Sequence, residues 1–162
     1  EYARYTEEAD AYQRNMDRLV VKWNTAKKMV PPPQTYQETP AGTRGLLFFG
    51  TSSFAALEAM QLLEQQGFKL DAMRLRAFPF PDSVAAFIDQ HEEIFVVEQN
   101  RDAQMRSLLI NELEINPKKL IRVLHYDGMP ISAEDIRTGV LNHIKKSVAT
   151  PQTGKRKQTI DE

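Results

Sequence analysis

The feature that most constrains this chain is a pattern that recurs four times. A short run of apolar, β-branched or aromatic residues gives way to a polar turn and then to apolar residues at helical spacing. The runs fall at 46–49, about 70–75, 94–97 and 120–124. Leu46-Leu47-Phe48-Phe49 is too short for a helix and apolar on both faces, as expected of a central strand covered on each side. The helical stretches that follow carry Leu57, Met60 and Leu63, then Val84, Phe87 and Ile88, then Met105, Leu108 and Leu109, and finally Ile136, Val140, Leu141 and Ile144. Breaks separate the units. Gly67 ends the first helix, Phe78-Pro79-Phe80-Pro81 ends the second strand because proline cannot donate to a ladder, and Asn116-Pro117 ends the third helix. Ser132 with Asp135 three residues on has the spacing of a capping box for the last helix. Strands alternating with helices in this way predict an α/β domain, a three-layer α/β/α arrangement around a mainly parallel sheet with right-handed crossovers. All four polar turns then fall along one edge of the sheet.

Before this domain, Tyr12, Met16, Leu19, Val20, Trp23 and Ala26 recur at steps of three and four, which predicts a long amphipathic helix over 1–30 with Thr6 as its N-cap. Its apolar stripe is expected to lie on the following domain or on a neighbouring chain. Residues 31–44 hold four prolines and read as an extended linker, 45–147 as the α/β domain, and 148–162 as a polar, poorly ordered tail. Glu1 in place of Met is expected of a segment of something longer.

Composition excludes several classes of function. A net charge of −1, with one compact basic run at Lys155-Arg156-Lys157, argues against nucleic acid or an anionic membrane as the main partner. With no cysteine the chain cannot hold a disulfide, a zinc–thiolate site or a cysteine-ligated iron–sulfur cluster, and a reducing, cytoplasmic setting is compatible with this. No apolar stretch reaches the roughly 18 residues of a membrane span.

Among candidate sites, Gly50-Thr51-Ser52-Ser53 at a strand-to-helix junction could cradle a phosphate, or a hydroxyl there could simply cap the helix. One glycine and no lysine match neither a dinucleotide fingerprint nor a P-loop. His91, His125 and His143 fall on separate elements without a helical partner histidine, so no metal is assigned. Glu98-Gln99-Asn100-Arg101-Asp102, at the end of the third strand, is the strongest candidate. A carboxylate, two amides and a guanidinium there could bind a polar group or pin another protein's loop. Equally, Asp102 could cap the next helix while Arg101 pairs with Glu98. Phe78 and Phe80, on the same expected edge, read either as a docking ridge or as rings packed under their loop.

With these residues assembled, the chain resembles the C-terminal domain of the alpha subunit of 2-oxoacid:ferredoxin oxidoreductases, the 2-oxoglutarate type more than the pyruvate type. The resemblance lies in Gly45-Leu46-Leu47-Phe48-Phe49-Gly50-Thr51-Ser52, Leu75-Arg76-Ala77-Phe78-Pro79-Phe80-Pro81, Val97-Glu98-Gln99-Asn100-Arg101-Asp102-Ala103-Gln104-Met105-Arg106 and Gly128-Met129-Pro130-Ile131-Ser132. The opening helix, with Asp17-Arg18-Leu19 and Lys27-Lys28-Met29-Val30-Pro31, is similar to the segment that joins this domain to the preceding one.

The resemblance implies a transketolase C-terminal-like fold in a cytoplasmic enzyme complex that decarboxylates a 2-oxoacid on thiamine diphosphate with magnesium. That complex passes electrons through iron–sulfur clusters to ferredoxin and transfers the acyl group to coenzyme A. It also implies that the thiamine and magnesium sites lie in the preceding domain and the beta subunit. This chain is therefore expected to have no catalytic, cofactor-binding or metal residue of its own. Its partners would be the remaining domains of the alpha subunit and the beta subunit, and Glu98, Gln99, Asn100, Arg101, Asp102, Phe78, Phe80, Thr51 and Ser52 would be interface residues or would position others. The rival readings are a self-contained α/β module binding a small molecule or phosphate through residues 50–53, and the equivalent domain of another thiamine enzyme.

Overall fold

The computed structural model describes residues 5–36 and 43–149. Four parallel strands, β2 (Arg44–Phe49), β3 (Asp71–Leu75), β4 (Glu93–Glu98) and β5 (Leu120–Leu124), each lead into a helix. These are α2 (Ser53–Glu64), α3 (Asp82–Asp89), α4 (Gln104–Leu113) and α5 (Ala133–Ala149). Alternate residues of the central strands face opposite layers. Leu46, Phe48, Phe95 and Val97 meet Ala56, Ala59 and Leu63 of α2 and Ile136, Val140 and Ile144 of α5. Leu47, Met73, Ile94 and Val96 meet Val84, Phe87 and Ile88 of α3 and Leu109 of α4. The three-layer α/β/α architecture expected from the pattern is thus present, with β2 and β4 fully covered on both faces. Gly45 lets β2 pass close beneath Phe87 of α3. A Cβ there would stand 2.6 Å from Ile94 Cδ1 and 3.1 Å from the Phe87 ring.

A fifth strand corrects the linker expected at 31–44. Gln34–Tyr36, β1, pairs antiparallel with β3 in the register Gln34↔Arg74, Thr35↔Met73 and Tyr36↔Ala72. Three residues that follow a proline run suit an edge strand, because the prolines lie outside the ladder. The sheet order is β1-β3-β2-β4-β5. From β2 the chain steps outward to β3, then crosses back to β4 and continues to β5. The connections on either side of β2 and β4 therefore leave toward opposite faces, which opens a crevice at the carboxyl ends of these two strands.

The helix α1 (Ala9–Met29) precedes the sheet. Thr6 is not its N-cap. The Thr6 hydroxyl accepts from the N–H of Glu8 at 3.2 Å, closing a local turn that consumes it before the helix begins. Nor does the apolar stripe lie along the domain, for no α1 residue is buried. Only its last turns dock, through Trp23 edge-on to Phe78 (5.2 Å between rings) and Lys27 to Asp82 at 2.5 Å. At the other end of the domain α5 runs to Ala149, past the boundary at 147. The remainder of the expected tail, 150–162, lies outside the described residues, as do 1–4 and 37–42. No helix among the described residues is long and apolar enough to cross a membrane.

Candidate functional site

The crevice at the carboxyl ends of β2 and β4 is a cleft of about 550 Å³. Phe49, Gly50, Thr51 and Ser52 line it from the β2 side, and Gln99, Asn100, Gln104, Met105 and Leu108 from the β4 side. Its shape follows from local sequence. Gly50 takes φ +59, turning the chain sharply off β2 into a single 3-10 turn, Gly50–Ser52, that runs on into α2. The Ser52 hydroxyl donates to Phe49 O at 2.6 Å and the Ser53 hydroxyl to Gly50 O at 2.7 Å. Both serines thus close the turn instead of facing a ligand.

On the other side Glu98 organises everything. This carboxylate, 1% exposed, accepts the N–H of Met105 at 2.7 Å, the N–H of Arg106 at 2.9 Å and Nδ2 of Asn100 at 2.8 Å. It therefore sits on the N-terminus of α4, where the helix dipole favours an anion. Asn100 Oδ1 takes the N–H groups of Asp102 and Gln104 at 3.1 and 3.3 Å. The expected cap, Asp102, makes no such bond; the residue before α4 is Ala103, at φ +52. Asp102 instead pairs with Arg101 at 2.8 Å, which holds the exposed guanidinium above its ordinary pKa and leaves no pairing between Arg101 and Glu98. Because Glu98 lies at the strand end directly beneath the first turn, it reaches the helix N–H groups that Asp102, exposed at the rim, does not.

Gln99 ties three loops together. Its Oε1 accepts from the N–H of Ile131, in the β5–α5 loop, at 3.0 Å, and its Nε2 donates to Thr51 Oγ1 at 3.0 Å. The Ile131 loop is itself fixed by the expected capping box. Ser132 N–H donates to Asp135 Oδ2 at 2.9 Å and Asp135 N–H to Ser132 Oγ at 3.1 Å, while the Ser132 hydroxyl and N–H hold the Asp135 carboxyl below its usual range.

Of the residues singled out in the sequence, Thr51, Ser52, Gln99 and Asn100 come together in the cleft and Glu98 supports it from below. Arg101 and Asp102 point to solvent at the rim. Phe78 and Phe80 are elsewhere, in the β3–α3 loop. Phe80 is buried, while Phe78, 40% exposed, packs between Phe80 and Trp23. Phe49, Gln104, Met105 and Leu108 were missed as cleft residues, although 104, 105 and 108 share one helical face, a spacing legible in advance.

The histidines serve packing. His91 Nδ1 donates to Phe87 O at 2.7 Å and Nε2 meets Asp71 Oδ2 at 3.1 Å, both side chains buried at the amino-terminal edge. His143 Nε2 lies 2.9 Å from Glu93, and His125 lies between Asp127 and Asp135. Among the described residues no group of three or more acidic, histidine or cysteine side chains could hold a metal ion.

No family model matches the chain. Over 151 residues it is 26% identical to the 2-oxoacid:ferredoxin oxidoreductase subunit alpha of Saccharolobus solfataricus, covering 90% of this chain and 23% of that one. The chain is thus similar to part of the alpha subunit of a 2-oxoacid:ferredoxin oxidoreductase. It spans less than a quarter of that relative's length. Among solved structures it superposes with a TM-score of 0.76 and 22% identity on the 2-oxoglutarate:ferredoxin oxidoreductase of Magnetococcus marinus, over 86% of this chain and 24% of that one. That structure has 2-oxoglutarate, coenzyme A and succinyl-CoA bound. A split-gene transketolase, seen as an inactive beta4 tetramer, matches with a TM-score of 0.55 and 15% identity over 69% of this chain and 42% of its own. The fold of this domain is transketolase-like.

Proposed function

We propose that this chain is the C-terminal α/β domain of the alpha subunit of a 2-oxoacid:ferredoxin oxidoreductase, an enzyme that oxidatively decarboxylates a 2-oxoacid, here 2-oxoglutarate, to its acyl-CoA. The domain's part is to pack against the rest of its subunit and the beta subunit through the carboxyl edge of its sheet, and it is not catalytic alone. The likeness to the alpha subunit supports the family reading, and the way the polar cluster satisfies itself supports the lack of independent catalysis. Glu98, the one carboxylate beneath the cleft, is spent on the first turn of α4 and on Asn100, and no charged side chain lines the cleft. Such a site lacks a group free to move a proton and a cation to meet a diphosphate. Among the described residues, those lining the cleft do not fit thiamine diphosphate or magnesium, and a chain without cysteine has no ligand for a thiolate-held cluster. In this reading Gln99, Asn100 and Arg101 position loops for the assembly.

The test is reconstitution. The chain alone, given 2-oxoglutarate, coenzyme A, thiamine diphosphate and magnesium, reduces no viologen dye. Combined with the remaining domains and the beta subunit it completes an enzyme that reduces dye or ferredoxin, faster with 2-oxoglutarate than with pyruvate. A saturable thermal shift of the isolated chain with thiamine diphosphate would contradict the proposal.

A further inference from the structure

The direction of the hydrogen bonds around the cleft fixes what kind of group it can receive. A backbone N–H can only donate, so the Gln99 atom facing Ile131 N at 3.0 Å is the carbonyl oxygen, and the amide NH2 is thereby turned toward Thr51. Thr51 Oγ1 accepts that N–H at 3.0 Å, which leaves its own proton to be given to something else. Thr51 is exposed and lines the cleft. Beside it, the Ser52 and Ser53 hydroxyls are spent on Phe49 O and Gly50 O, so Thr51 is the hydroxyl on this side with a proton to give. The cleft therefore offers the Thr51 hydroxyl as a donor on its β2 side, with apolar surface from Phe49 beside it and from Met105 and Leu108 on the β4 side.

Charge decides between ligands with acceptor atoms. No lysine, arginine or histidine lines the cleft to meet a phosphate. The N-terminus of α4, which could have met one, already holds the buried Glu98 carboxylate. An incoming anion would face that negative charge with no cation to offset it. An uncharged acceptor faces no such penalty. We infer that the cleft between Thr51 and Met105 binds an uncharged peptide segment, whose main-chain carbonyl accepts the Thr51 hydroxyl proton while a neighbouring apolar side chain packs on Phe49, Met105 and Leu108. A space of about 550 Å³ has room for a few residues of such a segment and lies within the ordinary range for bound ligands. This goes beyond the assembly role, since it names the chemistry the edge recognises and excludes the phosphate ligand that Gly50-Thr51-Ser52-Ser53 suggests in the sequence.

The test is an amide NMR titration of the whole chain with two probes at millimolar concentration, N-acetylalanine N-methylamide as the neutral peptide and inorganic phosphate as the anion. The neutral probe should give saturable shifts confined to residues 49–53 and 99–108, and phosphate none there. Thr51→Ser, which keeps the hydroxyl, should bind as the unaltered chain does, while Thr51→Val should bind about three- to tenfold more weakly, the worth of one hydrogen bond. The spectra themselves report that each variant is folded. Saturable shifts with phosphate at these residues, no saturable shift with the neutral probe, or equal binding by Thr51→Val would each overturn the inference.

Discussion

The two edges of the sheet are held by different chemistry. At the amino-terminal edge, elements are cross-linked by pairs of ionisable side chains, Asp71 with His91 in the interior and Glu93 with both Arg44 (2.7 Å) and His143 (2.9 Å) nearer the surface. At the carboxyl edge the loops are tied by amides and backbone groups. Gln99 bridges Thr51 and Ile131, Asn100 closes its own turn, and the single buried carboxylate, Glu98, meets N–H donors instead of a cation. In an open α/β sheet the carboxyl edge is where ligands and partners are met. Here no charged side chain lines the cleft itself, although Arg101 with Asp102 and His125 with Asp127 and Asp135 pair around its rim, while at the opposite edge ionisable pairs join the strands and helices directly. The difference teaches that buried ionisable pairs fasten the amino-terminal edge of this domain, whereas amides and a helix-capping carboxylate shape the cleft at the other.

Breaking the pair at the amino-terminal edge should have the largest effect. Asp71→Ala leaves His91 buried without its partner and is expected to cost about 3–5 kcal/mol, read from urea unfolding. If the loss were below that of the next substitution, the contrast between the edges would fail. At the carboxyl edge Glu98→Ala strands the N–H groups of Met105 and Arg106 and should cost about 2–4 kcal/mol. Glu98→Gln should recover little, because an amide has one accepting oxygen where the carboxylate uses two. Gln99→Ala removes a bridge between loops without burying a charge, so about 1–2 kcal/mol is expected, with the amide signals of Thr51 and Ile131 shifting together.

A pH series sharpens the comparison further. Burial pushes the Glu93 carboxyl up, but the hydrogen bonds from His143 and Arg44 outweigh it and hold the group below its ordinary value of 4.5. A depressed carboxyl contributes stability above that ordinary value and loses it as pH falls through the lower folded value. Acid unfolding of the chain should therefore steepen below about pH 4.5, and Glu93→Gln should remove that part of the slope. The smallest effect is expected at the helix that hardly touches the domain. Trp23→Ala loses one ring contact with Phe78 and should cost about 0.5–1.5 kcal/mol, seen in the unfolding midpoint.

The sheet was legible because its signals are local. The apolar runs, the proline breaks and the Ser132–Asp135 capping box each lie within a few residues, and each appears where the pattern places it. What was missed depends on distance in the chain. Gln34–Tyr36 becomes a strand only because β3 supplies a partner at Arg74, Met73 and Ala72, and nothing in three residues after a proline run announces that. The helix cap failed for a related reason. Asp102 is the nearer acid in sequence, but Glu98 is nearer in space to the N–H groups of Met105 and Arg106, seven and eight residues on. Phe78 and Phe80 were expected on one footing, yet Trp23, far upstream, covers one ring while the core takes the other.

The proposed assembly role requires the carboxyl edge of the sheet to be the surface through which this domain meets the rest of its complex. Hydrogen–deuterium exchange of the chain alone, and of the same chain assembled with the remaining alpha-subunit domains and the beta subunit, reads this directly. Assembly should slow exchange at 50–54, 99–103 and 126–131 and leave 89–93 and 116–119 unchanged. Protection confined to 89–93 and 116–119, with the carboxyl-edge loops exchanging as freely as before, would contradict it.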